Sequence, residues 1–353
     1  MKRVLSILTL GILLSACEIP FDIKQEGEAQ IYVQCVAGPD GVSICPQYAT
    51  PIGQTTRENV SFDVRLQVNE QSVAAFSEDG RYFYNLQPLS EGDEVAVEIR
   101  ADGVPVASGH TSLVARPVIT EMRRETVETP DSLQMERVSL VLDHTPSQDD
   151  HYAIQIINST LVFYSDGSTE EYESYLIPTY IRSEVESLSF DLEDYIQVDF
   201  DGHRLANDGD HPLTLLLPRH FRNNTYTFYL GGYEEALLDQ IRYNMPEGDT
   251  GMAGGGITSG DLGEGGSSEE GEGGEGRIPI AQRIHNRFVL YSMSDEFFYF
   301  FKAVYQSNFD FLSNMGLTPA NFTYSNVSGG LGMVGAISGE SREYEVLVPL
   351  FEY

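Results

Sequence analysis

The sequence predicts a mainly β protein: an N-terminal immunoglobulin-like β-sandwich, then a larger β-rich domain with one or two short helices. Three observations lead there. Runs such as Ser61-Phe62-Asp63-Val64-Arg65-Leu66-Gln67-Val68 and Glu94-Val95-Ala96-Val97-Glu98-Ile99 alternate polar and apolar residues with period two, the pattern of half-buried strands. Turn signals such as Glu78-Asp79-Gly80 and Ala101-Asp102-Gly103 separate them,. Helical spacing of apolar residues is confined to two short stretches.

Residues 1–16 read as a secretory signal peptide. Lys2 and Arg3 form a basic head, and Val4 to Leu14 is an apolar run too short for a stable bilayer anchor,. The run closes with Leu14-Ser15-Ala16-Cys17, which resembles the bacterial lipobox. The resemblance implies that Cys17 is acylated and begins the mature chain. Acyl chains would then hold a soluble body to a membrane, each buried CH₂ contributing about 0.8 kcal/mol. No later stretch approaches the roughly 20 apolar residues of a transmembrane helix.

Residues 17–29 are polar and acidic and read as a tether. Residues 30–117 hold the short alternating runs of the sandwich, six or seven strands by this reading. Its first hairpin sets Gln30 to Val36 against Val42 to Tyr48 around a Gly-Pro-Asp-Gly turn,. Cys35 and Cys45 are expected to staple that hairpin, since an exported chain meets an oxidising compartment. So short a loop gains about 2–3 kcal/mol from closure. Two buried thiols are the alternative.

Arg116-Pro117-Val118-Ile119 reads as the hinge into a second domain, residues 118–353. Strands are expected at Ser139–Leu142, Tyr152–Ile157, Leu161–Tyr164, Leu213–Leu217 and Thr225–Leu230, and a short helix at Tyr233–Tyr243. The clearer helix follows Ser294, a good N-cap, with Asp295 and Glu296 at the positive end of the dipole. Phe297, Phe301, Val304 and Tyr305 share one of its faces while Phe298 and Phe300 point elsewhere, so the helix should be wedged between layers. Residues 247–276 are mostly Gly, Glu and Ser. They have too little to bury and are expected to be disordered.

A net charge of −33 repels phosphates, so nucleic acid is not an expected partner. Templates for chemistry fail one by one. Gly330-Leu331-Gly332-Met333-Val334-Gly335 fits G-x-G-x-x-G but precedes an alternating, strand-like ending. A dinucleotide site needs a strand before the motif and a helix after it, so these glycines are expected to serve close packing or a bulge. There is no G-x-S-x-G elbow, H-E-x-x-H or P-loop. Asp199, Asp201, Asp208 and Asp210, with His203 and His211, form the densest set of hard ligands, but too few for a calcium loop. No bound metal and no cofactor is expected. Among 54 acidic residues no pair can be singled out for glycoside hydrolysis. The absence of Trp argues mildly against a sugar groove, although Tyr172, Tyr175 and Tyr180 offer ring faces.

Several pieces combine: the lipobox, the strand Ile31-Tyr32-Val33-Gln34 and the sandwich-like start. The step Asp149-Asp150-His151-Tyr152, the aromatic helix and the ending Ser325-Asn326-Val327-Ser328-Gly329-Gly330-Leu331-Gly332 complete the set. Together the chain resembles the outer-membrane lipoproteins of Bacteroidota that are encoded beside TonB-dependent receptors and described only as a domain of unknown function. The resemblance brings no catalytic residues. It implies an outer-membrane, surface-exposed accessory lipoprotein that binds or caps a TonB-dependent transporter in nutrient uptake. Glu18, Asp22, Glu26 and Glu28 match the phylum's surface-export signal loosely, and Asp131-Ser132-Leu133 fits its O-glycosylation pattern at Ser132. The competing classes are an extracellular hydrolase of glycans or peptides and a surface adhesin.

Overall fold

A computed structural model describes residues 29–50, 60–77, 79–128, 134–178, 196–199, 211–231, 279–308 and 324–349. Outside them lie Cys17, Ser132, Tyr180, Asp201, His203, Asp208, Asp210, the tether up to residue 28, the helix expected at 233–243 and the insert at 247–276.

The chain is mainly β. Strands β1 (Gln30–Gly38) and β2 (Gly41–Ala49) form the first hairpin. There follow β3 (Asp63–Val68), β4 (Gln71–Val73), β5 (Phe76–Ser77), β6 (Phe83–Asn85), β7 (Glu94–Arg100) and β8 (Ala107–Ser112). Next come β9 (Ile119–Glu128), β10 (Gln134–Leu142), β11 (His151–Tyr164) and β12 (Thr169–Leu176). Then β13 (Ile196–Asp199), β14 (Pro212–Leu216), β15 (Phe221–Arg222) and β16 (Thr225–Gly231) lead to β17 (Pro279–Met293), α1 (Asp295–Asn308) and β18 (Leu331–Pro349). No helix among the described residues is long and apolar enough to cross a membrane.

One ten-stranded sheet runs through the molecule in the order β13-β14-β11-β17-β18-β1-β2-β6-β5, with β12 also paired to β11. Two four-stranded sheets, β4-β3-β7-β8 and β15-β16-β10-β9, lie against it. Alternation along β1 and β18 sorts the packing. On the front, Val33, Cys35, Ala37, Val334 and Ala336 meet Leu66, Val95, Val97 and Ile99 of the first small sheet, forming a sandwich. Farther along the same face, Ile154, Ile156, Phe288, Leu290 and Tyr344 meet Val138, Leu140, Tyr226 and Phe228 of the second. On the back, Val36, Ala153, Met293, Met333 and Ile337 receive the phenylalanines of α1. The aromatic helix packs on this back face with Phe297, Phe298, Phe300 and Phe301 all buried.

The first and last strands make the seam. β1 and β18 pair in parallel, Tyr32 opposite Leu331 through Ala37 opposite Ala336, while the other strand pairs among the described residues are antiparallel. The glycine-rich ending belongs to this seam. Gly332 sits at φ +108, where a Cβ would overlap the Val33 carbonyl, and a Cβ on Gly330 would crowd the Ile31 carbonyl and Ala107. The Asn326 side chain acts as an extra strand residue. Its Nδ2 donates to the Val334 carbonyl at 2.7 Å and its Oδ1 accepts from the Val334 N–H at 2.9 Å. Ser108 and Ser328 exchange backbone hydrogen bonds at 2.9 and 2.7 Å. Close backbone approach, as the sequence implies, is what these glycines serve.

The segment read as a hinge is bonded to the central sheet. Ser292 Oγ donates to the Ala115 carbonyl, Arg116 pairs with Glu340, and the Arg342 guanidinium donates to the Ile119 carbonyl.

Two expectations are corrected. The stretch Asn158-Ser159-Thr160 reads as a break between two strands, yet β11 runs through it. The buried Asn158 Nδ2 donates to Asn286 Oδ1 at 2.9 Å, and Thr160 Oγ1 donates to Asn158 Oδ1 at 3.0 Å. Polar groups satisfied by one another can occupy a buried strand face. The second correction is the staple. The hairpin forms with Gly38 opposite Gly41, which sets Cys35 opposite Ile44 and Cys45 opposite Gln34. Directly opposed residues share a face, so the two sulfurs emerge on opposite faces of the sheet, and they are not joined to each other. Cys35 faces the sandwich core, where burial pushes its thiol up to about 12. Thiol titration without reductant is therefore expected to find both cysteines reactive in denaturant and Cys35 inert in the native protein. Loss of both signals, restored by reductant, would reinstate the bridge.

Candidate functional site

Three short sequence features singled out above, the Asp149–Tyr152 step, the aromatic helix and the glycine-rich ending, meet at the N-terminus of α1. Ser294 is the anchor. Its backbone N–H donates to the Ala336 carbonyl at 2.9 Å, and its Oγ accepts from the Ala336 N–H at 3.1 Å. Thr111 of β8 donates to the same Oγ at 3.4 Å and also reaches Glu296 Oε2 at 3.4 Å. The N–H of Phe297 points at that oxygen as well, at 3.4 Å, so the residue is an N-cap in fact. Four elements, β8, β17, β18 and α1, are thereby tied at one serine.

His151 begins β11 beneath this turn. Its ring lies flat on Phe298, centroids 4.0 Å apart and planes 3° from parallel, with Tyr299 edge-on at 5.5 Å. Nε2 is 3.1 Å from Asp295 Oδ1, while the buried Nδ1 has no hydrogen-bond partner. Tyr299 is 44% exposed and its ring tilts against Tyr324 at 5.9 Å. Burial, then the Glu296 and Asp295 charges, raise the Tyr324 phenol above its usual range. The exposed Asp149 and Asp295 and the partly buried Asp150 and Glu296 complete the rim.

Burial holds His151 below the usual imidazole range, against the pull of Asp295, Asp150 and Asp149. A lowered folded pKa means that the unfolded chain binds the proton more readily. The contribution is complete above the unfolded value of about 6.5 and is lost as pH falls through it toward the folded value. Urea midpoints measured between about pH 5 and 8 should fall on acidification, and His151→Phe should flatten that slope. Equal slopes in the two proteins would contradict this.

The neighbouring Tyr152 carries an Asp–His–Tyr chain on the front face. His144 Nε2 lies 3.1 Å from the Tyr152 hydroxyl, and His144 Nδ1 lies 2.7 Å from Asp143 Oδ1. The spacing is that of a proton relay, but Tyr152 is buried against Phe221. Desolvation, then Asp150 and Asp143, push its phenol up to about 12. The chain of contacts ties the start of β11 to the residues that follow β10.

Most of the sequence-predicted site residues lie outside the described residues. Asp199 closes β13, and its three companions lie outside the described residues. Among the described residues no three His, Cys, Asp or Glu side chains are grouped to hold a metal. Tyr172 is exposed and donates to Glu170 Oε2 at 2.5 Å, as Tyr164 does at 2.7 Å. Tyr175 is edge-on to His211 at 4.5 Å. Sequence reasoning missed Thr111, Tyr324 and the Asp143–His144 pair. Each is joined to its partners across long stretches of chain or by side-chain geometry that no spacing rule encodes.

What the cluster presents to solvent is the partly exposed Tyr299 ring beside the carboxylates of Asp149 and Asp295. The molecule is thus a mainly β scaffold with an aromatic, acidic cluster at the N-terminus of α1. The chain belongs to the family described as a domain of unknown function, DUF4249, whose model matches residues 17–343. No curated protein matches the sequence.

Proposed function

We propose that this protein is a lipid-anchored accessory protein of a TonB-dependent transporter at a Bacteroidota outer membrane. It works by binding or capping in nutrient uptake and performs no catalysis of its own. The observation that carries the reading is a coincidence of boundaries. The family match begins at Cys17, the residue that processing at Leu14-Ser15-Ala16-Cys17 would make the first of the mature chain. A protein held at a membrane by its first residue, with its layers joined through its last strand, is built to present surfaces to neighbours in that membrane.

Fractionation of cells producing wild type and Cys17→Ala tests the anchor. The wild-type protein should sediment with the outer membrane and yield an acylated N-terminal peptide by mass spectrometry, while the variant should be released. Equal partition of the two proteins would remove the basis of the reading.

A further inference from the structure

We propose that the polar end of the interior between the central sheet and the β15-β16-β10-β9 sheet binds a neutral saccharide, with Gln282, Asn158 and Asn286 as hydrogen-bonding groups and Tyr172 as a ring face. This gives a chemical class to the nutrient of the reading above and rests on that reading for its role. The inner faces of two packed sheets ordinarily make an apolar core, and here they do so only up to one level. Phe228 and Phe288 meet with ring centroids 5.4 Å apart, and Tyr344 lies 5.7 Å from Phe288. Beyond them both inner faces turn polar. On β17 Phe288 gives way to Asn286 and, past Ile284, to Gln282. On β11 Ile156 gives way to Asn158 and Thr160, and on β10 Val138 gives way to Glu136. Asn158, Asn286 and Tyr344 are register partners across three strands.

Most groups of this layer bond one another. Thr160 donates to Asn158 and Asn158 to Asn286, while Arg124 and the Tyr344 hydroxyl both donate to Glu136. Gln282 is the exception. It is 2% exposed, and its Oε1 has no hydrogen-bond partner. A buried amide oxygen without a donor is destabilising, and a leucine would fill a similar volume without that cost. The oxygen is therefore suited to a donor from outside the chain.

The formal charges beside the layer are already matched, Arg124 on Glu136 and Glu170 on the hydroxyls of Tyr164 and Tyr172. What remains are amides and hydroxyls, groups that pair with a sugar hydroxyl whether it donates or accepts. Tyr172 is the register partner of Thr160 and is 53% exposed, so its ring can pack on the apolar face of a sugar. Arg124, its side chain 33% exposed, and Tyr172 are where the two sides of the layer meet solvent. A peptide would instead be read along an open strand edge or by apolar side-chain pockets, whereas this layer lies on the face of β11 and β17, which are paired on both sides.

The full-length acylated protein in mild detergent would be applied to an array of neutral gluco-, manno-, galacto- and xylo-oligosaccharides, with sulfated and uronic-acid glycans and peptides alongside. The best-bound member would then be titrated by calorimetry. Gln282→Leu is expected to weaken binding by about tenfold or more, with a urea midpoint equal to or above that of wild type. Tyr172→Ala should weaken binding by about fivefold at an unchanged midpoint, and Leu86→Ala, at an exposed position outside the layer, should bind as wild type does. Binding of no neutral oligosaccharide, or only of anionic glycans or peptides, would overturn the proposal. So would an unchanged affinity in Gln282→Leu, which would leave that oxygen to a water molecule. Should Gln282→Leu fail to fold, an unchanged affinity in Tyr172→Ala would overturn it. Recovery of a receptor with this protein but no glycan binding would leave the transporter reading standing without this site. Glycan binding with no receptor recovered would remove that reading and leave the site.

Discussion

Gly332→Ala is expected to destabilise the protein by about 3–5 kcal/mol, a large part of the stability of an ordinary domain. Two causes act together. Gly332 has φ +108, a conformation costly for any residue with a Cβ,. The added carbon would also overlap the Val33 carbonyl and press on that residue's nitrogen. Val33 and Gly332 are register partners in the parallel pairing of first and last strands, so the clash cannot be relieved by moving a side chain. The strands must part, and with them the sheet shared by all three cores. Gly92→Ala separates the two causes. Gly92 also has positive φ, at +83, but nothing lies within 4 Å of the point its Cβ would occupy, so only backbone strain of about 1 kcal/mol remains. Equilibrium urea unfolding of both variants checks the argument. A loss at Gly332 no larger than at Gly92 would contradict it.

Phe297→Ala should cost about 3–5 kcal/mol, the usual range for truncating a fully buried aromatic. Phe297 is completely buried in the layer behind the sheet, with the ring of Phe301 at 4.7 Å. Its own backbone and Cβ press so closely on Gly335 that a side chain on the glycine would meet them at 2.9–3.1 Å. The helix and β18 therefore cannot approach further to fill the hole, and the cavity term stays unrelieved. Tyr299→Ala, two residues on, removes a half-exposed ring and should cost under about 1 kcal/mol. Similar urea midpoints for the two variants would contradict the placement of α1.

Much of this architecture is visible in the sequence wherever a local signal decides it. The alternation in β3 and β7, the Pro39-Asp40 turn and the Ser294 cap each act within a few residues, and each appears where the pattern puts it. The cysteine pair failed for a reason of the same scale. A one-residue offset in register turns a side chain to the other face, and composition does not encode that offset. The pairing of β1 with β18 has no local signature, since it joins the two ends of the chain. Its trace in the sequence is the run of glycines at 329, 330, 332 and 335, readable as close packing but silent about the partner. The cluster around His151 was visible as three separate motifs. That they meet depends on Ser294 bonding Ala336 and Thr111, contacts that exist only once the sheets have assembled.

Partnership with a transporter is tested by affinity isolation. The tagged, acylated protein would be recovered from its native outer membrane in mild detergent, and its companions quantified by mass spectrometry. A TonB-dependent receptor in near-equal amount is expected, and its substrate then identifies the nutrient. Recovery of the lipoprotein with no barrel protein would contradict it.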